Sequence, residues 1–292
     1  MDYLRAYSFV TSLGQKLGMD TWKAALGVLE VANANMEKAI RVITVERGVD
    51  PRGFTLVAFG GAGPLHACEL AERLDIPRVL VPRYPGVLSA LGMLAADVMK
   101  DYAQTVMWPL PGAVEGGFVR QIATGFRSLA VRGWQEMTAE GFDRQTTQVL
   151  TALDMRYVGQ SHELVVPFDE LSTADLAGRF QAAHKERFGY NLPDEQVEIV
   201  NLRLKMLGRV QRPTLQRELP DTGDASKAVL EERTVWFQDP MPTKVYSREL
   251  LHAGHLFAGP AIVVQMDATT AVPPGWKCQV DVIGSLILDH NS

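Results

Sequence analysis

Gly60, Gly61 and Gly63 follow the apolar run Phe54–Phe59 and stand just before Pro64. A strand that ends in glycines and feeds a helix brings main chain close to a ligand. Glycine tolerates positive φ and near approach, and a helix amino terminus offers free N–H groups with partial positive charge. Gly60, Gly61, Ala62 and Gly63 are therefore candidate phosphate- or adenosine-side residues. Their spacing departs from the dinucleotide fingerprint, because Ala62 and Leu65 stand at the second and third glycine positions, and no lysine-bearing phosphate loop is present. On spacing alone a tight strand-to-helix turn explains the glycines equally well. His66, one turn into the following helix, is a candidate catalytic residue: it could reach a phosphate or an activated carbonyl, and imidazole titrates in a useful range. A half-buried structural histidine is the competing reading. Cys68 reads as a small residue packing its helix against a sheet.

Arg156, Gln160, His162 and Glu163 gather around a hairpin turn. Such groups bind a polar ring or a partner, or Arg156 and Glu163 pair across the hairpin for about a few tenths of a kcal/mol. We read them as structural or interface residues. His252 and His255 have a metal-ligand spacing, but no thiolate lies nearby and no metal site is assigned. Asp267-Ala-Thr-Thr270 reads as a polar turn bonding its own backbone.

The elements that must position these residues follow from periodicity and punctuation. Residues 20–47 read as helical, with Asp20 as N-cap, Gly48 as the stop, and Asn33 and Asn35 interrupting the apolar stripe as if capping a second helix. Phe54–Phe59 reads as a strand buried on both faces. Helix Leu65–Leu74 and strand Arg78–Val81 complete a right-handed βαβ unit of about thirty residues. Ser89 reads as the cap of a helix over Ala90–Val98. After a composition shift at Trp108–Gly112 come a helix over 114–140, strands over 147–158 and 162–168, a helix from Thr173 to Phe188, and a strand Val197–Leu207. Leu219–Ala228 reads as a linker, and short strands over 233–237, 243–247, 260–265, 277–283 and 285–288 read as a small barrel or sandwich. The expected fold class is α/β and α+β, in domains 1–107 (α/β), 108–218 (α+β) and 219–292 (β-rich).

A net charge of −5 gives no general attraction to nucleic acid. No apolar run approaches the ~20 residues that span a bilayer. Two cysteines fit a reducing, cytoplasmic setting.

Residues 33 to 97, NANMEKAIRVITVERGVDPRGFTLVAFGGAGPLHACELAERLDIPRVLVPRYPGVLSALGMLAAD, resemble the hydantoinase A/5-oxoprolinase family, which includes N-methylhydantoinase A and acetone carboxylase beta-like chains. So do Arg156-Tyr-Val-Gly-Gln160 with Glu163-Leu164, and the tail GPAIVVQMDATTAVPPGWKCQVDVIGSLIL. The resemblance implies that residues 1–107 are the carboxy-terminal part of an actin-like (Hsp70-like) ATPase lobe, with Gly60-Gly61-Ala62-Gly63 as its adenosine loop and Pro85–Asp97 as its second connecting helix. It implies ATP as cofactor, a small cyclic amide such as hydantoin or 5-oxoproline as substrate, and ring opening after activation of the carbonyl oxygen. A subunit of an ATP-dependent ketone carboxylase is the alternative, and a non-catalytic assembly module the third reading. The family's Asp-Gly-rich first phosphate loop has no counterpart before Asn33. The chain is thus expected to be a piece of a longer polypeptide or one subunit of a split enzyme, inactive alone. Mg2+ is expected on the absent amino-terminal ATPase half, and a hydantoinase B-like subunit is the expected second partner. Apolar surface on the 20–47 helix is expected to be exposed.

Overall fold

The computed structural model describes residues 3–112, 116–169, 175–221 and 223–290. They form two compact units, Met1–Met93 with Thr214–Ser292, and Leu94–Pro213. No helix among the described residues is long and apolar enough to cross a membrane.

The first unit opens with helices α1 (Tyr3–Leu17) and α2 (Thr21–Ile43). The Asp20 carboxylate accepts from the Lys23 N–H at 2.8 Å and caps α2 as expected. The predicted interruption at Asn33 and Asn35 does not occur. Asn33 is buried and its amide bonds a distant side chain instead of competing for the helix backbone. Leu4, Phe9, Val31 and Ile43 leave apolar surface exposed on these helices. Strand β1 (Thr55–Val57), helix α3 (Gly63–Arg73) and strand β2 (Arg78–Val81) follow, with β1 and β2 parallel in the register Thr55↔Arg78. β1 is not buried on both faces: Val57 and Phe59 are 48% and 54% exposed, because β1 is the outermost strand of its sheet. Ser89 lies inside helix α4 (Leu88–Ala95) rather than capping it, since a 3-10 turn at Pro85–Val87 already leads into the helix.

The second unit holds β3 (Val98–Pro109), α5 (Gly116–Ala139), β4 (Thr147–Tyr157), β5 (Leu164–Phe168), α6 (Leu176–Phe188) and β6 (Val197–Gly208). Residues 114 and 173, the predicted starts of the two helices, lie outside the described residues. The strands form an antiparallel sheet in the order β3-β6-β4-β5. β3 replaces the end of the helix predicted over Ala90–Val98 and the composition shift after it, and it pairs with β6 from Val98↔Gly208 to Pro109↔Glu198. Ile122, Phe126 and Met137 of α5 and Phe180 of α6 bury against Leu153, Met155, Leu202, Leu204 and Met206. Gly125 and Gly133 lie where a Cβ would collide with Leu202 and Met206, so α5 lies close to β6.

The chain then returns to the first unit as β7 (Val229–Trp236), β8 (Pro240–Ser247), β9 (Leu256–Ala258), β10 (Ala261–Val264), β11 (Thr269–Val272), β12 (Trp276–Val280) and β13 (Leu286–His290). These strands make neither a barrel nor a separate sandwich. β13 pairs antiparallel with β2, with Leu286 opposite Val81 and Leu288 opposite Val79, and the sheet runs β1-β2-β13-β12-β9. The other four strands form a sheet in the order β11-β10-β8-β7. Nor is Leu219–Ala228 a free linker, because Ala225 and Ala228 enter the same core as Ala71, Val79, Val263, Trp276 and Leu288. By contact the terminal segment groups with residues 1–93: the parallel pair needs further strands on one side, and the terminal segment supplies them.

Trp276 is fully buried and its Nε1–H donates to Glu72 Oε1 of α3 at 2.6 Å. Trp276→Phe removes that bond and part of the ring, and is expected to cost about 1–3 kcal/mol. Amide exchange should quicken in α3 and β2 together with β12. Unchanged protection in α3 and β2 would mean that the terminal strands stand alone.

Candidate functional site

Past Val57 the chain remains paired with the second strand, the Ala58 N–H donating to Leu80 O at 2.9 Å. Gly60 then turns at φ 83° and donates to Pro85 O at 2.7 Å. That φ is open to glycine and costly to most other residues, about 1–3 kcal/mol. Gly61 and Ala62 are exposed, and their N–H groups have no hydrogen-bond acceptor among the described residues. α3 begins at Gly63 with Pro64 in its first turn, no side-chain cap and no acidic residue there. The four predicted loop residues thus form one turn, exposed at Gly61 and Ala62 and half-buried at Gly60 and Gly63, at a positive helix end, a place that favours an anion or a polar ligand edge.

Asp267 stands on this loop, and sequence reasoning missed it. Its Oδ2 accepts from the Gly86 N–H at 2.9 Å and its Oδ1 from Gln265 Nε2 at 2.5 Å. A Cβ on Gly61 would lie 3.3 Å from Asp267 O, and one on Gly86 only 2.5 Å from it. The turn between β10 and β11 therefore braces both the glycine loop and the Pro85-Gly86 turn. The reading of Asp267–Thr270 as a self-bonded turn is corrected, since the Asp267 carboxylate reaches across 181 residues and Thr270 is buried in β11. No local pattern signals such a partner.

His66 is half-buried in the first turn of α3, with its Nδ1 2.7 Å from Asn33 Oδ1. Cys68 is buried with its Sγ 3.6 Å from Ala271 O. Burial pushes the Cys68 thiol well up and that of Cys278 up to about 12, so both stay protonated at neutral pH and pack the core.

The other candidates lie apart from the loop in their own networks. In the second unit Arg156 Nε donates to Glu198 Oε1 at 2.8 Å, while Glu163 is 3.9 Å away, so the cross-hairpin pair is the lesser contact. Beside it the buried Asp154 accepts from Arg203 Nε at 2.6 Å and from Asn201 Nδ2 at 2.8 Å. Gln160 closes its turn through a main-chain bond to Tyr157, and His162 is exposed. In the first unit the His252 N–H donates to His255 Nδ1 at 3.2 Å, and His255 Nε2 faces Asp221 at 3.6 Å. Among the described residues no group of three or more His, Cys, Asp or Glu side chains is arranged to hold a metal ion.

Gly86→Ala is expected to displace the Asp267 turn and lower stability by about 1–3 kcal/mol, read from urea unfolding. An unchanged midpoint would show that Asp267 does not rest on Gly86.

Residues 2–102 match a family model described as hydantoinase/oxoprolinase, and residues 115–290 match the hydantoinase/oxoprolinase C-terminal domain. Caprolactamase subunit alpha of Pseudomonas jessenii is 31% identical over 93% of this chain and 40% of its own length. A crystal structure of the ATP-dependent caprolactamase of that organism is similar at TM-score 0.64 and 28% identity, over 97% of this chain and 42% of that one. 5-Oxoprolinase 1 of Arabidopsis thaliana is 29% identical over 93% of this chain and 21% of its own length. Nucleotide-free acetone carboxylase is similar in fold, at TM-score 0.89 and 20% identity, over 99% of this chain and 43% of that one. The chain spans 40% or less of the length of these curated relatives. Two family models matched in order along almost all of its length place this chain in the hydantoinase/oxoprolinase family.

Proposed function

We propose that this chain supplies the adenosine side of the nucleotide site in an ATP-dependent enzyme that opens cyclic amides. The observation that carries the reading is the Gly60–Gly63 turn, whose exposed Gly61 and Ala62 have N–H groups unpartnered among the described residues at an uncapped helix end. These residues fit ATP: a Cβ added at Gly60 would meet nothing within 4 Å, so the space above the main chain is open there, and the Gly61 and Ala62 N–H groups are donors without a partner among the described residues. Bound ATP supplies the phosphoryl group that makes an amide carbonyl more electrophilic. Gly60, Gly61, Ala62 and Gly63 bind and orient the nucleotide, Asp267 holds their loop in place, and His66 Nε2 accepts the proton that the attacking water gives up. Mg2+ and the β/γ-phosphate side are assigned to polypeptide outside these 292 residues, and a hydantoinase B-like chain is the proposed second partner.

Cyclic amides are preferred to ketones as substrates because the relatives at 31% and 29% identity bear the names caprolactamase and 5-oxoprolinase, whereas the likeness to acetone carboxylase is one of fold. The test assembles the chain with the rest of its enzyme and measures ATP hydrolysis with caprolactam, 5-oxoproline, hydantoin or acetone. A cyclic amide should stimulate hydrolysis, and Gly61→Val, whose branched side chain crowds Asp267, should cut the rate at least about tenfold, or ~1.4 kcal/mol. Stimulation by acetone alone, or full activity in Gly61→Val, would sink the reading.

A further inference from the structure

We infer that Asn33 is a positioning residue that holds His66 as its Nδ1–H tautomer, leaving Nε2 bare as a proton acceptor beside the glycine loop. The inference deepens the role proposed for His66 and rests on that role for its significance.

Asn33 stands in the interior of α2 and is 1% exposed. Its Oδ1 lies 2.7 Å from His66 Nδ1, a short N–H···O bond in which the imidazole donates. The other half of the same amide, Nδ2, is buried with no partner among the described residues. That arrangement is a poor way to build a helix contact. An orphaned buried donor costs about 1–3 kcal/mol, and asparagine is a weaker helix former than alanine. Packing of α2 on α3 would be served as well or better by an alanine at this position. What the asparagine adds is a single acceptor aimed at one ring nitrogen.

The consequence falls on the other nitrogen. A ring whose Nδ1 carries the proton has an unprotonated Nε2. His66 Nε2 has no hydrogen-bond partner among the described residues, and the ring is half-buried, so it remains open to a ligand. His66 lies three residues beyond Gly63, where α3 begins. The proton acceptor is thus carried on the first turn of the helix that the Gly61 and Ala62 N–H donors lead into. A buried amide that fixes the ring of a neighbouring histidine does for proton transfer what an outer carboxylate or carbonyl does for metal-ligating histidines.

The tautomer is measured directly by long-range 1H–15N correlation on the 15N-labelled chain, at a pH where the imidazole is neutral, with His66 assigned through His66→Gln. The wild-type ring should show a protonated Nδ1 and a bare Nε2. In Asn33→Ala the Nδ1–H form should fall to the minor population, and in Asn33→Asp, which retains an acceptor, it should return to the major one. An Nε2–H ring in the wild type would overturn the inference, as would an unchanged Nδ1–H ring in Asn33→Ala. Should Asn33→Ala not fold, the wild-type and Asn33→Asp spectra still decide: Nδ1–H in both supports the inference, and Nε2–H in either overturns it. No nucleotide enters this measurement. Full ring-opening activity in His66→Gln would remove the proposed role of His66 while leaving the Asn33 contact intact.

Discussion

The first unit depends on the antiparallel pairing of β2 with β13. Val79, Val81, Leu286 and Leu288 meet there with no exposed surface, and each fully buried aliphatic side chain contributes about 1.5–3 kcal/mol. Without β13 the β2 edge would be open and half of the parallel pair's core would face water. The chain closes this contact across some two hundred residues, an entropic cost that grows only slowly with loop length. Once β13 is in place, β12 and β9 extend the sheet, and Trp276 reaches Glu72 on α3. The terminal segment is in this sense part of the scaffold of the βαβ unit.

That scaffold sets the candidate site. β10 and β11 carry Asp267 to the Pro85-Gly86 turn, and Gly60 bonds to Pro85, so the glycine loop is braced from two directions. What remains unpartnered among the described residues is chemically useful: the Gly61 and Ala62 N–H groups and the Nε2 edge of His66. Donors held rigid before a ligand arrives need little reorganisation when it binds. The two cysteines, the Arg156–Glu198 pair and the His252–His255 pair all have partners or burial that account for them.

Local chemistry made a good part of this legible in the sequence. Asp20 caps its helix, Pro64 opens the first turn of α3, and glycines mark the junction before it, because each of these signals acts within a few residues. β3 escaped notice because it alternates half-buried and exposed positions and follows an apolar helix, which hides its start at Val98. β9 has only three residues. Asn33 looked like a helix break because asparagine in an apolar stripe is usually a cap; its actual partner lies 33 residues on, in another helix. Asp267 was opaque for the same reason on a longer scale. Turn chemistry explained its type, while its ligand, the Gly86 N–H, becomes a neighbour only after the sheet has closed. Residues whose roles are set by non-local contacts are the ones that local periodicity misassigns.

We propose that the Gly60–Gly63 turn holds the adenosine side of the nucleotide in this family member. Residue-resolved amide exchange of the assembled enzyme, with and without ATP, addresses it most directly. Protection of the Gly61 and Ala62 N–H groups on adding ATP, with little change in the Arg156–Glu198 region, is the predicted result. Nucleotide binding that leaves both of these amides exchanging at their free rate would contradict it.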